Sequence, residues 1–485
     1  MDLPPVDRNN RRPLVDQVVA HYRQAIEGGQ LRPGEHLPPI RTIADRVGLT
    51  RTTVQDAYRQ LQDLGLVSAT VGRGTVVQGD ARDRDVLSPG ARAVYRHLVH
   101  LPHSRESGEE LVCNFAELQP DEALFPVEEF TASLQRVLES RGPELLGYGQ
   151  PTGDLQLRRL LAVMNSGAPS GDPDEVLVTN GAQQGIDLVL RTFARPGDGI
   201  AVAVPTYHHL FGLLEAHDLH LVPLRSSAEG LDLEDVQRVL ARDDVRLLYL
   251  MPTFHNPTGR TMDIGARQEL MRVVRASRVP VLEDEFELDL RFTGESLPSL
   301  RTMDTRGLTV TIRTFSKGLF PGVRIGWIHA GVEVLGPMAA LKRYMDLETS
   351  PLLQAALVDF LRSGAVDRYL HELRSMMRRR HAVAQEALSQ HMPSGFSWTK
   401  PDGGLALWVE GPVGFDGEVL ARVAADRGVL VSPGRLFHPV DVVDPGLRLS
   451  LSRADESQIR EGIRILGQCV SESPTGRPSH RPLIL

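Results

Sequence analysis

Apolar residues at Leu14, Val18, Val19, Tyr22 and Ile26 recur at helical spacing and predict a first helix over 14–26. Gly28-Gly29 stops it and Pro33-Gly34 turns the chain. Pro39 to Val47 reads as a second, short helix closed by Gly48. Thr50 then caps a third, Arg51 to Leu64, whose buried face is Val54, Ala57, Tyr58, Leu61 and Leu64. After Gly65, Leu66 to Val77 reads as two short strands around Gly72-Arg73-Gly74. Two short helices joined by a tight glycine turn and followed by a hairpin predict a winged helix-turn-helix, an α+β unit spanning 13–78 behind a tail of residues 1–12. The start of its third helix presents Arg51, Thr52, Thr53 and Gln55, where such a helix meets base edges and phosphates.

Residues 79–110 lose sustained periodicity, mix charges, carry Pro-Gly and Ser-rich turns, and read as a linker with one helical stretch near 91–100. From Leu111 the pattern changes to short apolar runs alternating with amphipathic segments: 175–179, 200–204, 245–250, 280–283 and 309–312. That alternation predicts an α/β domain over 111–470 with a mostly parallel sheet. The Ser- and Pro-rich end, 471–485, reads as a disordered tail.

At 485 residues, 41% hydrophobic and 24% charged, the chain has material for two or more globular domains. Its net charge of −8, with ten Arg against nine acids over residues 1–80, excludes a protein basic throughout. Any nucleic-acid site must be local and its non-specific affinity modest. Two cysteines, Cys113 and Cys469, make neither a disulfide framework nor metal-ligand spacing and suit a reducing cytosol. No metal site is expected. No apolar run reaches the length of about 18 residues that spans a bilayer, and the N-terminus lacks a signal-peptide core.

Arginine supplies 51 of the 54 basic residues, so each of the three lysines, Lys317, Lys342 and Lys400, needs its own reason. An amine can lose its proton and attack an aldehyde, which a guanidinium cannot. Lys317 lies in Thr314-Phe-Ser-Lys-Gly-Leu-Phe-Pro-Gly-Val-Arg324, where hydroxyls, a glycine and an arginine fork could hold a phosphate. Three strand ends add to it. Gly181-Ala182 opens a helix whose amides would face an anion, Tyr207 could stack on a flat ring, and Asn256 sits at a strand's carboxyl edge. Asp284 follows an apolar strand, where an acid could keep a pyridine nitrogen protonated. Each alone is equally a plain turn, a packing ring or a capping acid.

Gly29, Leu31, Pro33-Gly34, Leu37-Pro38, Arg41, Ala44, Thr50-Arg51, Val54, Ala57-Tyr58, Leu61, Gly65 and Gly72-x-Gly74-Thr75 together resemble the winged helix-turn-helix of GntR-type regulators. The resemblance implies contact with double-stranded DNA through Arg41, Thr50, Arg51, Thr52, Thr53 and the wing, here Arg73. Pro39 stands where that family usually has a serine cap. His255-Asn-Pro-Thr-Gly259, a strand-end Asp284 and Ser316-Lys-Gly318 with Arg324 downstream resemble fold-type I pyridoxal-phosphate enzymes of the aspartate aminotransferase class, from about Asn114 to Leu466. That implies a large and a small subdomain. It also implies Lys317 as the Schiff-base lysine, Asp284 on the pyridine nitrogen and Asn256 on the ring oxygen. Tyr207 would stack on the ring. Gly181, Ala182, Thr314 and Arg324 would take the phosphate, and Arg448 an effector's carboxylate. Tyr148 resembles the tyrosine that reaches a neighbouring subunit, which implies a homodimer. Phe286 replaces the usual ring-oxygen tyrosine, Ala182 lacks a hydroxyl, and residues 115–121 lack the usual glycine. These departures spare cofactor binding and weigh against fast turnover.

The order of the two domains resembles that of MocR/GabR-type regulators. The function this implies is a cytoplasmic, pyridoxal-phosphate-dependent transcriptional regulator, on the nucleoid when bound to its operator, that senses an amino compound or the cofactor itself. Closure around the effector would bias the placement of two winged helices in a head-to-tail dimer. The alternatives are a working aminotransferase with an accessory DNA-binding domain, and an interaction scaffold without cofactor.

Overall fold

Three helices form where the periodicity placed them: α1 (Leu14–Glu27), α2 (Ile40–Val47) and α3 (Arg51–Asp63). Their apolar faces meet around Val18, Tyr22, Ile43, Val54, Ala57 and Leu61. Gly48 ends α2 with φ 72, the left-handed conformation that a residue without a Cβ adopts freely. Pro39 gives α2 no side-chain cap, whereas Thr50 accepts from the Thr53 amide at 3.2 Å and caps α3. The Tyr58 hydroxyl donates to the Pro38 carbonyl at 2.7 Å, tying α3 to the approach of α2. Strands β1 (Val67–Thr70) and β2 (Gly74–Val77) pair antiparallel, Val67 opposite Val77, and form the wing.

The computed structural model describes residues 4, 6, 13–27, 31, 35–63, 66–70, 74–77, 111–166, 171–227, 230–439 and 442–472. The chain divides into two units, within residues 1–92 and 93–485. The glycines expected to stop α1 and α3, the turn at 33–34, Arg73 at the wing tip, the linker 79–110 and residues 473–485 lie outside the described residues.

In the second unit β3 (Val176–Thr179), β4 (Gly199–Ala203), β5 (His220–Leu224), β6 (Val245–Leu250), β7 (Val281–Asp284), β8 (Thr309–Thr314) and β9 (Gly326–His329) build one sheet in the order β3-β9-β8-β7-β6-β4-β5. β9 runs antiparallel to β8 and β3, and the other six share one direction. Of the five expected runs, 245–250 is a strand over the same residues and the other four are strands with boundaries shifted by one or two residues; β5 and β9 match no expected run. Helices α4 (Ala182–Phe193) and α5 (Val332–Asp346) bury apolar residues against this sheet.

A smaller antiparallel sheet of β10 (Ser397–Trp398), β11 (Ala406–Glu410), β12 (Ser432–Pro433) and β13 (Gly446–Ser450) has the order β10-β11-β13-β12. It shares a core with α6 (Ala365–His391) and α7 (Glu456–Glu472), so large and small subdomains are both present. α7 continues to Glu472, two residues into the segment expected to be a tail. Among the described residues no helix is long and apolar enough to cross a membrane, and no group of His, Cys, Asp and Glu could hold a metal ion.

Candidate functional site

The six strands of one direction deliver their carboxyl ends to one edge of the large sheet, the edge where α/β sheets bind ligands. β7 ends on Asp284, 3% exposed. Its Oδ2 accepts from the Tyr249 hydroxyl at 2.8 Å, while Oδ1 is buried with no partner among the described residues. Burial pushes this carboxyl up to about 6, against the pull of the Tyr249 hydroxyl and the Phe286 amide. Its neighbour Glu283 projects to the other face. There it accepts from the Leu300 amide at 2.6 Å, the Arg301 amide at 3.2 Å and the Thr311 hydroxyl at 3.0 Å, so it is structural.

β8 ends on Thr314, which caps the turn Phe315–Gly318 by accepting from the Ser316 amide at 3.1 Å. The Thr314 hydroxyl also lies 3.0 Å from Ser316 Oγ and 3.3 Å from the Ile325 carbonyl. Its proton is therefore engaged inside the protein, which makes Ser316 the freer hydroxyl. Lys317 follows, its Nζ donating to the Leu118 carbonyl. Burial pulls the ammonium down to about 8, with the Glu287 carboxylate opposing the fall.

β3 leads through Asn180 and Gly181 into α4, whose first residue is Ala182. Gly181 has φ 80, and a Cβ there would lie 2.6 Å from Arg324 Nη2. Glycine is thus favoured by the conformation, and a Cβ there would push the Arg324 guanidinium away. Arg324, itself left-handed at φ 50, donates to the Asn180 carbonyl at 3.3 Å. A guanidinium and the amides of a helix start thus border one small recess.

Arg448 on β13 is buried, with Nη1 donating to Asn256 Oδ1 at 3.0 Å and Nη2 to the Ala116 carbonyl at 2.8 Å and Ser432 Oγ at 3.1 Å. Its guanidinium lies 5.0 Å from the Phe437 ring centroid and its Nε is buried with no partner among the described residues. Burial lowers its pKa to about 10. Because Asn256 spends its oxygen on Arg448, its amide hydrogens remain to donate elsewhere. Tyr207 is half-buried, its hydroxyl donating to Gln183 Oε1 at 3.0 Å, and Phe286 packs in the same apolar cluster.

Two residues of this site escaped the sequence reading. Tyr249 stands out only as the one hydroxyl in the aliphatic run 245–250, and its use depends on β6 lying beside β7. Glu287 is 4% exposed; its Oε2 accepts from the Leu405 amide at 3.3 Å and its Oε1 has no partner among the described residues. Burial pushes it up to about 7, with Lys317 opposing. Four acids in the five residues 283–287 were the available signal. Tyr148, by contrast, is 87% exposed and does not enter the site of its own chain. An open cavity of about 790 Å³ lined by Met251, His255, Arg260, Trp398 and Trp408 contains none of these residues.

In the first unit Arg41, Thr50, Arg51, Thr52 and Gln55 are exposed and Thr53 is half-buried. Arg41 lies 3.7 Å from Asp45, and the Thr50 and Thr53 hydroxyls bond at 2.8 Å.

Residues 112–466 match the family described as aminotransferase class I and II, and residues 14–77 the gntR family of bacterial regulatory proteins. The uncharacterized HTH-type transcriptional regulator YdfD of Bacillus subtilis is 26% identical over 97% of this chain and 99% of its own length. The probable rhizopine catabolism regulatory protein MocR of Rhizobium meliloti is 27% identical over 95% of this chain and 94% of its own. Among solved structures, LysN, an alpha-aminoadipate aminotransferase of Thermus thermophilus complexed with N-(5'-phosphopyridoxyl)-L-leucine, superimposes with a TM-score of 0.70 at 30% identity, covering 81% of this chain and 97% of that one.

The cofactor these likenesses indicate is pyridoxal phosphate, and the residues present fit it. Asp284 Oδ1 is a buried acceptor awaiting an N–H, and Gly181, Ala182 and Arg324 border a recess that a Cβ would fill. Lys317 has a lowered pKa, as an amine that meets an aldehyde needs. When bound, the cofactor supplies that aldehyde and a ring that withdraws electrons. The chain belongs to the aminotransferase class I and II family and, with its GntR-type helix-turn-helix, has the two-domain make-up of MocR-type DNA-binding regulators.

Proposed function

We propose that the chain regulates transcription by sensing a small amino compound at the Lys317–Arg448 site. The supporting observation is that the two cations of this site, Arg448 and Lys317, donate to the carbonyls of Ala116 and Leu118, in the segment that follows residues 79–110. A ligand carboxylate that takes Arg448 replaces the Ala116 carbonyl, and a group that takes Lys317 releases Leu118. Occupancy is thereby read out in the segment that leads back to the DNA-binding unit. Tyr207 and Asn256 hold the cofactor ring, Asp284 its nitrogen, and Gly181, Ala182, Ser316 and Arg324 its phosphate, with Thr314 shaping the turn.

Arg41, Thr50, Arg51, Thr52, Thr53, Gln55 and Arg73 face the operator. The protein works in the cytoplasm as a head-to-tail homodimer in which Tyr148 reaches the partner's site. Phe286 leaves the ring oxygen without a hydroxyl, which favours retention of a ligand over full transaminase turnover.

The test titrates the cofactor-loaded full chain onto DNA from upstream of its own gene, with and without a panel of amino acids and amines. One compound should change both the cofactor's visible spectrum and the operator affinity, and Lys317→Ala should abolish both responses. Spectral changes that leave DNA affinity constant across the panel would defeat the reading.

A further inference from the structure

Lys342 is the second of only three lysines and is fully buried, 0% exposed, on α5. A buried ammonium is costly unless paired, and a purely packing role is served better by an apolar side chain. Its Nζ lies 3.0 Å from Asp346 Oδ1 and 3.2 Å from Oδ2, one helical turn on.

Asp346 does more than neutralise it. Its Oδ2 also accepts from Asn180 Nδ2 at 2.5 Å and from Gln184 Nε2 at 2.6 Å. Gln184 Oε1 in turn accepts from the Asn180 amide at 2.8 Å, and the Asn180 carbonyl accepts from Arg324. The end of α5 therefore fixes the Asn180–Gly181 turn through the polar groups of Asn180, from behind the recess bounded by Gly181 and Arg324.

We propose that Lys342 and Asp346 are positioning residues for the cofactor's phosphate: Asp346 holds the turn that presents the amides, and Lys342 cancels the charge of Asp346. The second half of this follows from electrostatics. A carboxylate placed behind an anion site repels the anion it is meant to help bind, and in a protein of modest effective dielectric that repulsion acts across several ångströms. A buried lysine one turn away removes it without competing for the two amide donors. Lysine suits the task because its compact ammonium neutralises both carboxylate oxygens while Oδ2 still accepts from Asn180 and Gln184.

The proposal concerns charge next to a phosphate, so its test compares two ligands that differ in the phosphate alone. Full-length protein is freed of cofactor by dialysis, and pyridoxal phosphate and pyridoxal are each titrated back by visible absorbance. Lys342→Met should weaken pyridoxal phosphate by about tenfold or more, the scale of a single uncompensated charge nearby. Pyridoxal should be nearly unaffected. Adding Asp346→Asn to Lys342→Met keeps an acceptor oxygen, removes the charge, and should restore most of the lost affinity. Asp346→Asn alone leaves the ammonium unopposed and should move the ratio of the two affinities toward pyridoxal phosphate; this variant carries the test if Lys342→Met does not fold. Equal losses for the two ligands, no loss for either, or a ratio moved by Asp346→Asn in the opposite direction overturns the proposal.

Discussion

Asp284 has one oxygen on Tyr249 and the other buried with no partner among the described residues, so without cofactor the site keeps a charge that the fold alone does not stabilise. A carboxyl raised by burial favours its protonated form in the folded state. Its destabilising effect is complete above the folded value of about 6 and is relieved as pH falls from there toward the ordinary carboxylate range. Asp284 should accordingly favour the cofactor-free fold at pH 5 over pH 7, whereas His255, His329 and His381, each held down to about 4 by burial, act in the opposite sense, so the Asp284 contribution is read as a difference between parent and variant. Glu287, raised to about 7, and Glu285, raised to about 8, act in the same direction as Asp284. Asp284→Asn should stabilise the cofactor-free protein at pH 7 by up to about 3 kcal/mol, the cost of ionising a carboxyl that titrates near 6 rather than near its ordinary value. Its stability advantage over the parent should shrink as pH falls from 7 to 5, and the variant should bind the cofactor more weakly. Calorimetry at the two pH values checks the first two effects and an absorbance titration the third. A cofactor-free Asp284→Asn protein less stable than the parent at pH 7 would show that the carboxylate is satisfied in the fold.

Helices were more legible than strands because a helix carries its period within itself. α1, α2 and α3 appear within a residue or so of where apolar spacing and the Thr50 cap placed them. Strands buried on both faces also announced themselves as aliphatic runs. β5 and β9 did not: His220-Leu-Val-Pro-Leu224 is an edge strand with a proline, and Gly326-Trp-Ile-His329 is a four-residue antiparallel insertion. The small sheet was equally hidden, since two of its strands are two residues long. At the site, residues that act through local sequence, such as Gly181 before α4 or Lys317 in its loop, could be read directly. Tyr249 and Glu287 could not, because each meets its partners only across strands or subdomains.

The same contrast separates two neighbouring substitutions in α3. Thr50→Ala removes the cap on the Thr53 amide and should cost the N-terminal unit about 1 kcal/mol, read by denaturant melts. Arg51→Ala removes an exposed side chain and should leave stability within about 0.5 kcal/mol while lowering operator affinity in a binding titration. Footprints unchanged by Arg51→Ala would remove α3 from the proposed interface. Neither substitution should alter the cofactor's absorbance.

At the scale of the molecule, several large apolar side chains stand exposed beside the phosphate recess. Leu146 and Tyr148 stand exposed in the loop after the helix Val127–Leu145, and Tyr344, Met345 and Leu347 stand exposed around the end of α5. The two segments touch, since the Gly149 amide donates to the Glu348 carboxylate. Exposed apolar side chains gathered on two touching segments mark an association surface more often than free surface, and a second copy of the chain is the occupant that the proposed dimer supplies. Dimerisation also answers a weakness of the DNA-binding unit, whose near-neutral charge gives a single copy little hold on the phosphate backbone. Two linked units gain affinity by turning the second binding event into an intramolecular one. Replacing Tyr344 and Leu347 together by aspartate should therefore give a monomer in analytical ultracentrifugation with its fold intact by circular dichroism. Its operator affinity should fall by about a hundredfold, the lower range of what linkage provides. A wild-type chain that sediments as a monomer at micromolar concentration, or a monomeric variant that binds the operator as tightly as the parent, would place the source of DNA affinity within the single unit and remove the need for a partner.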